Sequence, residues 1–329
     1  MTDTPQTASV AETPDRATPI ERAGFAAIIG APNAGKSTLT NFLVGSKVAI
    51  VTHKVQTTRF PVRGVAHHGG TQIVLVDTPG IFQARKRLDR AMVKSAWSGA
   101  AEADCILHLI DAAAWVADRQ GDATPAQRLS VEDDRRVMAS LKDNQHTAFL
   151  VLNKIDLFAH AQVLPLIKAL QDPEIYADIF MISALNGEGV ETLRAAVSEA
   201  MPLGEALYPP DQTADLPMRL LAAEITREKL MLRLHQELPY QLMVDTESWE
   251  PFDNGDIRIR QAILVAREAH KGMILGKGGA TIKHVGKAAR EELSDMLGCR
   301  IHLILFVKAD PKWMDRREAY ASVGLEYDV

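Results

Sequence analysis

The chain has 329 residues, which is enough for about two domains, and 47% of them are hydrophobic, which is enough to fill more than one core. The net charge is −5, and residues 218–329 carry 17 basic and 17 acidic residues, so any binding of nucleic acid must come from a local basic patch. Two cysteines exclude a disulfide framework, and no apolar run approaches the roughly eighteen residues of a membrane span.

Composition shifts along the chain predict a tail, two domains and a linker. Residues 1–22 are rich in Thr, Ala and Pro and lack an apolar signal core, so we expect a disordered tail. Residues 23–203 alternate strand-like and helix-like stretches and form the first predicted domain. Residues 204–217 contain several prolines and acidic residues, which is typical of a linker, and residues 218–329 form the second domain.

A glycine-rich loop opens the first domain. Residues 25–29 are an apolar run that predicts a buried strand, and residues 30–37 fit the P-loop spacing G-x-x-x-x-G-K-[ST] before a helix-like stretch. Backbone amides of such a loop point at a phosphate, Lys36 would reach the β- and γ-phosphates, and the Ser37 hydroxyl would ligate Mg²⁺. The expected phosphate-binding residues are Gly30, Ala31, Pro32, Asn33, Ala34, Gly35, Lys36, Ser37 and Thr38.

Two later segments are predicted to complete the phosphate and Mg²⁺ site. Residues 60–67 and 71–76 predict a hairpin whose second strand ends in Asp-Thr-Pro-Gly. An acidic residue after an apolar strand is where a P-loop NTPase holds Mg²⁺, and Gly80 would offer an amide to the γ-phosphate. Thr57 or Thr58 would complete the metal shell, and the sequence does not choose between them. The expected residues are Asp77, Thr78, Pro79, Gly80 and Ile81 for the nucleotide, and Ser37, Thr57, Thr58 and Asp77 for the metal.

The next elements predict an α/β fold with a doubly wound sheet. Residues 105–110 are a strand-like run, residues 112–129 look like an exposed insertion, and residues 131–141 are helix-like. Further strands are predicted at 147–152 and 179–182. Strands that alternate with helices, with motifs at the strand ends, place the ligand at the carboxyl edge of the sheet.

Two motifs after the later strands predict a guanine-specific pocket. Residues 153–156 read Asn-Lys-Ile-Asp, and residues 183–185 read Ser-Ala-Leu. The Asp156 carboxylate can accept hydrogen bonds from N1 and N2 of guanine, whereas adenine would leave it unpaired. A backbone amide of the second motif could bind guanine O6. The expected base-binding residues are Asn153, Lys154, Ile155, Asp156, Ser183, Ala184 and Leu185.

The second half of the chain predicts an α+β domain. A helical stretch at 221–234 precedes strands at 240–247 and 257–268, a helix at 281–297 and a last strand at 300–307. Residues 276–279 read Gly-Lys-Gly-Gly between two helices, which gives the order α-β-β-α-α-β; we call them the GKGG loop, and basic residues cluster around it. This order with a G-x-x-G loop resembles a type II KH domain, whose loop clamps about four nucleotides of single-stranded RNA. The expected RNA-binding residues are Lys271, Ile274, Gly276, Lys277, Gly278, Gly279 and Lys283.

The order of all these motifs is more specific than any one of them. The five motifs of the first domain resemble those of the translation-factor-related GTPases. With the second domain, the chain resembles the Era GTPase family over about residues 23–325. Residues 224–230 (Glu-Ile-Thr-Arg-Glu-Lys-Leu) and 237–240 (Glu-Leu-Pro-Tyr) look like the interdomain core of that family.

The resemblance implies partners for the two domains. Era proteins bind the 3′ end of small-subunit ribosomal RNA, assist assembly of the 30S ribosomal subunit and associate peripherally with the inner membrane. We therefore expect GTP or GDP, this RNA and the 30S subunit as partners, and a cytoplasmic location with peripheral membrane contact. The chain departs from the family at Ala31, at Ala34, in the length of residues 112–129 and in its longer tail, and none of these changes removes a liganding side chain.

Hydrolysis is expected to be slow. Ras-like GTPases place a water-orienting Gln after Asp-x-x-Gly, and here that position is Ile81, which cannot orient water. Gln83 is a poor substitute by spacing. In GTPases that lack this Gln, an Asn at the position of Asn33 can help hold K⁺ against the phosphates. Lys36 and Asn33 are therefore the expected catalytic residues, with Mg²⁺ and K⁺ as cofactors.

Two other function classes fit parts of the sequence. The chain could be an RNA-binding scaffold whose nucleotide site is structural, which turnover with Mg²⁺ would exclude. It could also be a GTP-dependent switch whose KH-like domain binds a protein partner, which failure to crosslink RNA at the GKGG loop would favour.

Overall fold

The structure is a computed structural model that describes residues 19–235, 238–321 and 323–329. Residues 1–18 of the predicted tail and Glu237 of the predicted interdomain motif lie outside the described residues. Within the described residues, no helix is long and apolar enough to cross a membrane.

The first domain is built on seven strands with helices on both faces. Its elements are β1 (Arg22–Ile29), α1 (Lys36–Val44), β2 (Val62–His68), β3 (Thr71–Asp77), α2 (Arg87–Ala101), β4 (Cys105–Asp111), α3 (Ala112–Gln120), α4 (Pro125–Asp143), β5 (Ala148–Asn153), α5 (Val163–Leu170), β6 (Tyr176–Met181), α6 (Val190–Ala200) and β7 (Ala214–Asp215). The strand order is β6-β5-β4-β1-β3-β2-β7. Strands β6, β5, β4, β1 and β3 run parallel to one another. At the edge of the sheet β2 pairs antiparallel with β3, and β7 pairs antiparallel with β2.

Alternation along β1 explains the two layers of this domain. Ala27 and Ile29 face a core shared with α2, α3, α4 and α5, whereas Ala26 and Ile28 face a core shared with α1 and α6. All four side chains are fully buried. A parallel strand covered on both faces must be apolar throughout, as the sequence of β1 is. The predicted doubly wound sheet is confirmed.

The prediction of an exposed insertion at residues 112–129 is wrong. Helix α3 forms the first half of that stretch and buries Ala112, Ala114, Trp115 and Val116 in the core. Helix α4 then begins at Pro125, where Thr124 caps it by accepting the N–H of Gln127.

The second domain places three helices on one face of a three-stranded sheet. Its elements are α7 (Met218–Arg233), β8 (Leu242–Pro251), β9 (Ile257–Val265), α8 (Glu268–Leu275), α9 (Ala280–Leu297), β10 (Ile301–Ala309) and α10 (Arg317–Ala321). Strand β9 pairs with β8 antiparallel and with β10 parallel, as the predicted type II KH order requires. The predicted strand at 257–268 ends earlier than expected, because Glu268 already begins α8.

Segments from outside residues 23–203 complete the first domain. Ala214 and Asp215, in the predicted linker, form β7 at the edge of its sheet. From the C-terminal end, Tyr320 and Leu325 pack into a cluster with residues of the first domain such as Met92. The two domains are therefore joined by a packed surface as well as by the linker.

Candidate functional site

The P-loop connects β1 to α1 and holds its lysine inside. Lys36 is 6% exposed, and its Nζ donates to the carbonyls of Gly30 (3.1 Å) and Ala31 (2.9 Å). Gly35 has φ 103°, and a Cβ there would lie 2.3 Å from Nδ2 of Asn153, so only glycine fits. The loop therefore holds the charge of Lys36 where phosphates of a nucleotide would replace the two carbonyls.

Three oxygen-bearing side chains meet beside Lys36. The Ser37 hydroxyl donates to Oδ2 of Asp77 at 2.6 Å and lies 2.8 Å from Oγ1 of Thr58, which itself lies 3.3 Å from Asp77 Oδ2. Asp77 is fully buried, and its Oδ1 has no hydrogen-bond partner among the described residues. Thr57 points elsewhere, donating to the carbonyl of Lys54 at 2.7 Å. The structure thus brings Ser37, Thr58 and Asp77 together and leaves Thr57 out.

Burial perturbs both charges at this point. It lowers the pKa of Lys36 to about 8, although the charges of Asp77 and Asp134 oppose the shift. It raises the pKa of Asp77 to about 6, although the hydrogen bond from Ser37 and the charge of Lys36 oppose that shift. Burial thus destabilises the charged forms of both Lys36 and Asp77, as expected of a site whose charges are balanced by a charged ligand.

A cavity of about 550 Å³ opens in front of these residues. Its walls come from the P-loop, from residues 50–58, from Gly80 and from the start of α4, including Gln127 and Asp133. Burial raises the pKa of Asp133 to about 6, although the charge of Arg136 opposes the shift. A cavity of this size, with Lys36 and Ser37 in its walls, is large enough to hold a nucleotide.

The base-pocket motifs are arranged around Asn153. Its Nδ2 donates to the carbonyl of Ala34 at 2.7 Å, and its Oδ1 accepts the N–H of Ala184 at 2.9 Å, so it links the P-loop to the last motif. Lys154 has φ 66° and donates to Oδ2 of Asp111 at 2.6 Å. Asp156 and Leu185 lie exposed at the rim. All the base-binding motifs therefore lie at one edge of the sheet.

Two structural residues of the site escaped the sequence reasoning. Asp111, at the end of β4, holds Lys154, and it carries the same signal as Asp77, an acid after an apolar strand. Asp134, fully buried on α4, accepts the N–H of Ala31 at 3.2 Å and that of the Trp115 indole at 2.9 Å. No local pattern reveals Asp134, because only the fold brings α4 under the P-loop.

The two residues that bear on hydrolysis behave differently. Ile81 is 4% exposed and packs in the core, while its N–H donates to the Gly30 carbonyl at 3.0 Å. Asn33 lines the cavity in a left-handed conformation, with φ 64°, and its Nδ2 donates to the His53 carbonyl at 3.2 Å. The side chain at position 81 is thus turned away from the cavity, and that of Asn33 faces it.

The GKGG loop lies between α8 and α9 and is open to solvent. Gly276, Gly278 and Gly279 all have positive φ, and nothing lies within 4 Å of a Cβ built on Gly278. Lys277 and Lys283 are exposed, and Lys271 forms a 3.2 Å ion pair with Glu268. The loop therefore presents backbone amides and cations to an approaching phosphate chain.

Ile274 does not belong to this surface. It was predicted to offer an apolar contact to bases, but it is fully buried in the core of the second domain with residues such as Val285. Its neighbour Met273 is 60% exposed instead. The helical turn before the loop points Ile274 inward and Met273 outward, which a run of apolar residues does not reveal.

Comparisons with known proteins agree on both domains. A family model described as 50S ribosome-binding GTPase matches residues 25–154, and a KH domain model matches residues 237–314. The chain is 56% identical to GTPase Era of Maricaulis maris over 94% of its length and 98% of that protein. It is 54% identical to GTPase Era of Caulobacter vibrioides over the same shares.

Two solved structures are similar over the same span. One is a variant of Aquifex aeolicus Era bound to GDP·AlF4⁻, and the other is Era in complex with MgGDPNP and nucleotides 1506–1542 of 16S ribosomal RNA. Each is 38% identical to this chain, has a TM-score of 0.83, and is covered completely by 94% of the chain.

Proposed function

The chain belongs to the Era GTPase family, and we propose that it hydrolyses GTP with Mg²⁺, binds the 3′ end of small-subunit ribosomal RNA and assists assembly of the 30S subunit. The observation that carries the proposal is the cluster of Ser37, Thr58 and Asp77 beside the P-loop lysine. The ribosomal RNA in the complex of a 38% identical Era supports the second half.

The donor set fits Mg²⁺. Two hydroxyls and a carboxylate are the hard oxygen ligands that this ion prefers, and Oδ1 of Asp77 has no hydrogen-bond partner among the described residues. Ser37 and Thr58 would hold the ion, with Asp77 beside them. When bound, Mg²⁺ neutralises charge on the phosphates.

The other residues act by position and charge. Lys36 exchanges its two backbone acceptors for phosphate oxygens, which restores the charged form that burial disfavours. Asn153 holds the P-loop against the last motif, and Asp156 accepts the guanine edge. Because Ile81 offers nothing to a water molecule, hydrolysis is slow and gains from K⁺ held near Asn33.

The RNA is bound by the GKGG loop, with Lys271, Lys277 and Lys283 at its phosphates. The exposure of Lys277 and Lys283 and the positive φ of three loop glycines support this assignment. Contacts with the 30S subunit and a peripheral contact with the inner membrane follow from membership of the family, and both remain predictions.

Steady-state GTP turnover with and without Mg²⁺ tests the enzymatic half. We expect Thr58→Ala to lose most of the turnover and Thr57→Ala, its neighbour, to retain it. Crosslinking of the full-length protein to RNA in cells tests the other half. Recovery of the small-subunit 3′ end supports the proposal, whereas turnover without any RNA crosslink at the GKGG loop would favour a protein partner.

A further inference from the structure

The loop that carries Thr58 is held by the second domain. We call residues 48–59 the Thr58 loop; it runs between α1 and β2. Helix α7 of the second domain lies against it and contributes Arg227, whose side chain is 1% exposed. The Nη2 of Arg227 donates to the carbonyl of Thr57, and its Nε donates to Glu224 at 2.7 Å. Glu224 thus fixes the guanidinium that binds the loop.

A second anchor lies on the other side of Thr58. Arg59 is 7% exposed, and its Nη1 donates to the carbonyl of Leu242 at 2.6 Å. Its Nη2 donates to the carbonyls of Tyr240 (3.1 Å) and Pro239 (3.3 Å). Pro239 and Tyr240 lie in the turn before β8, and Leu242 is the first residue of that strand. Thr58 is therefore bracketed by two residues that the second domain holds.

The start of the loop is anchored in the same way. Glu228, one residue along α7, is 3% exposed and accepts the N–H of Val51 at 2.9 Å. It also accepts from Lys47, at 2.7 Å for the closer oxygen. Lys229 also donates to this carboxylate, at 2.9 Å, so the buried charge of Glu228 is paired with two lysines as well as with the loop amide. The path of the whole loop thus depends on α7.

From these contacts we propose that Arg227 is a positioning residue for the nucleotide site. The peptide unit is planar, so fixing the Thr57 carbonyl also fixes the orientation in which the chain enters Thr58. That orientation places Thr58 Oγ1 against Ser37 and Asp77. The inference rests on the proposed role of Thr58 and makes the second domain a determinant of how the site distinguishes GTP from GDP.

The contact affects the two nucleotides unequally. Thr58 contributes only when a γ-phosphate and its Mg²⁺ are present, and GDP has no γ-phosphate. A residue that acts by holding Thr58 in place therefore stabilises the GTP complex and leaves the GDP complex unchanged. General damage to the interface would instead weaken both, because the P-loop serves both nucleotides.

The test measures affinities of the full-length protein for Mg·GDPNP and for GDP. Removing Arg227 alone would leave Glu224 unpaired, so the variant is Arg227→Met with Glu224→Gln, which leaves no uncompensated charge in this buried pair. We expect affinity for GDPNP to fall about ten-fold, which corresponds to the free energy of one hydrogen bond to a charged group. Affinity for GDP should stay within about two-fold of the wild type. Glu224→Gln alone keeps Arg227 but weakens the contact that fixes its guanidinium, so its loss of GDPNP affinity should be smaller than that of the double variant. Arg219→Ala is the matched control: this side chain of the same helix donates to the carbonyls of Thr246 and Glu247, both in its own domain.

The last step of the test introduces Thr58→Ala into the wild type and into the double variant. If Arg227 acts through Thr58, this change weakens GDPNP binding in the wild type and adds nothing in the double variant. Additive losses, or equal losses for GDPNP and GDP, would overturn the positioning role while leaving the proposed GTPase intact. If Thr58→Ala leaves Mg·GDPNP affinity unchanged in the wild type, the assignment of Thr58 itself fails, and this inference fails with it.

Discussion

Lys36 and Lys277 both stand in a glycine-rich turn at the start of a helix, and both are assigned to phosphates. Lys36 is 6% exposed and bonded to two carbonyls, while Lys277 is open to solvent in the GKGG loop. The first site is surrounded by buried groups that fix one another, and the second is surrounded by water. A buried site recognises one small ligand through defined bonds, whereas an exposed loop binds a long chain mainly through charge and backbone amides. The same residue types thus serve two kinds of phosphate recognition.

The sharpest test of this contrast is a change confined to the exposed loop. Lys277→Asp with Gly278→Asp places two negative charges where RNA phosphates should lie. We expect affinity for the 3′ segment of small-subunit RNA to fall on the order of 100-fold, because attraction is replaced by repulsion. GTP affinity should not change, since the nucleotide site lies in the other domain.

A salt titration of both proteins, with circular dichroism to check folding, measures this effect. The wild type should lose affinity with salt at a log–log slope of roughly −0.7 per phosphate contact, for only a few contacts. A folded double variant that binds RNA like the wild type would remove the GKGG loop from RNA recognition.

The next largest effect is expected at the exposed rim of the nucleotide site. Asp156→Asn replaces an acceptor by a partial donor, so GTP affinity should fall about 100-fold through two poorly matched hydrogen bonds. Xanthosine triphosphate, which has an oxygen at C2, should bind better than it does to the wild type. Competition binding with both nucleotides measures the change. Unaltered GTP binding by this variant would show that the base pocket lies elsewhere.

Nucleotide binding at the buried site should depend on pH through Asp77. Asp77 has its pKa raised to about 6, so it is increasingly protonated below that pH, and a protonated carboxyl does not support a Mg²⁺ site. Affinity for Mg·GDPNP should therefore rise between pH 5 and pH 7, by up to about ten-fold per pH unit below 6. Asp77→Asn should bind more weakly and show a flat profile over this range. The same rise in the Asn variant would assign the titration to another group.

The smallest expected effect concerns K⁺. Turnover in K⁺ should exceed turnover in Na⁺ several-fold, because a cation held near Asn33 adds positive charge at the phosphates. Asn33→Ala should abolish the difference without unfolding the loop, since its side chain makes only one hydrogen bond among the described residues, to His53. Steady-state assays at equal ionic strength compare the salts. Equal wild-type rates in K⁺ and Na⁺ would contradict the assignment.

Local sequence patterns predicted much of the fold and of the candidate site. The P-loop, Asp77 and the Asn153 motif each follow a buried apolar run, and a parallel sheet brings the ends of such runs to one edge. Periodicity gave the order of elements in the second domain, with errors of a few residues at their ends. These features are local because strand burial, turn geometry and phosphate recognition depend on residues adjacent in the chain.

Tertiary structure alone decided the rest. Whether Thr57 or Thr58 faces Ser37 and Asp77 depends on the path of the Thr58 loop. Arg227 and Glu228, far along the chain, hydrogen-bond to that loop. The inward direction of Ile274, the packing of α3 and the position of Asp134 beneath the P-loop likewise depend on which elements become neighbours. Such contacts join residues distant in sequence, so no local pattern records them, and only the packing of complete helices and strands determines which side chains meet.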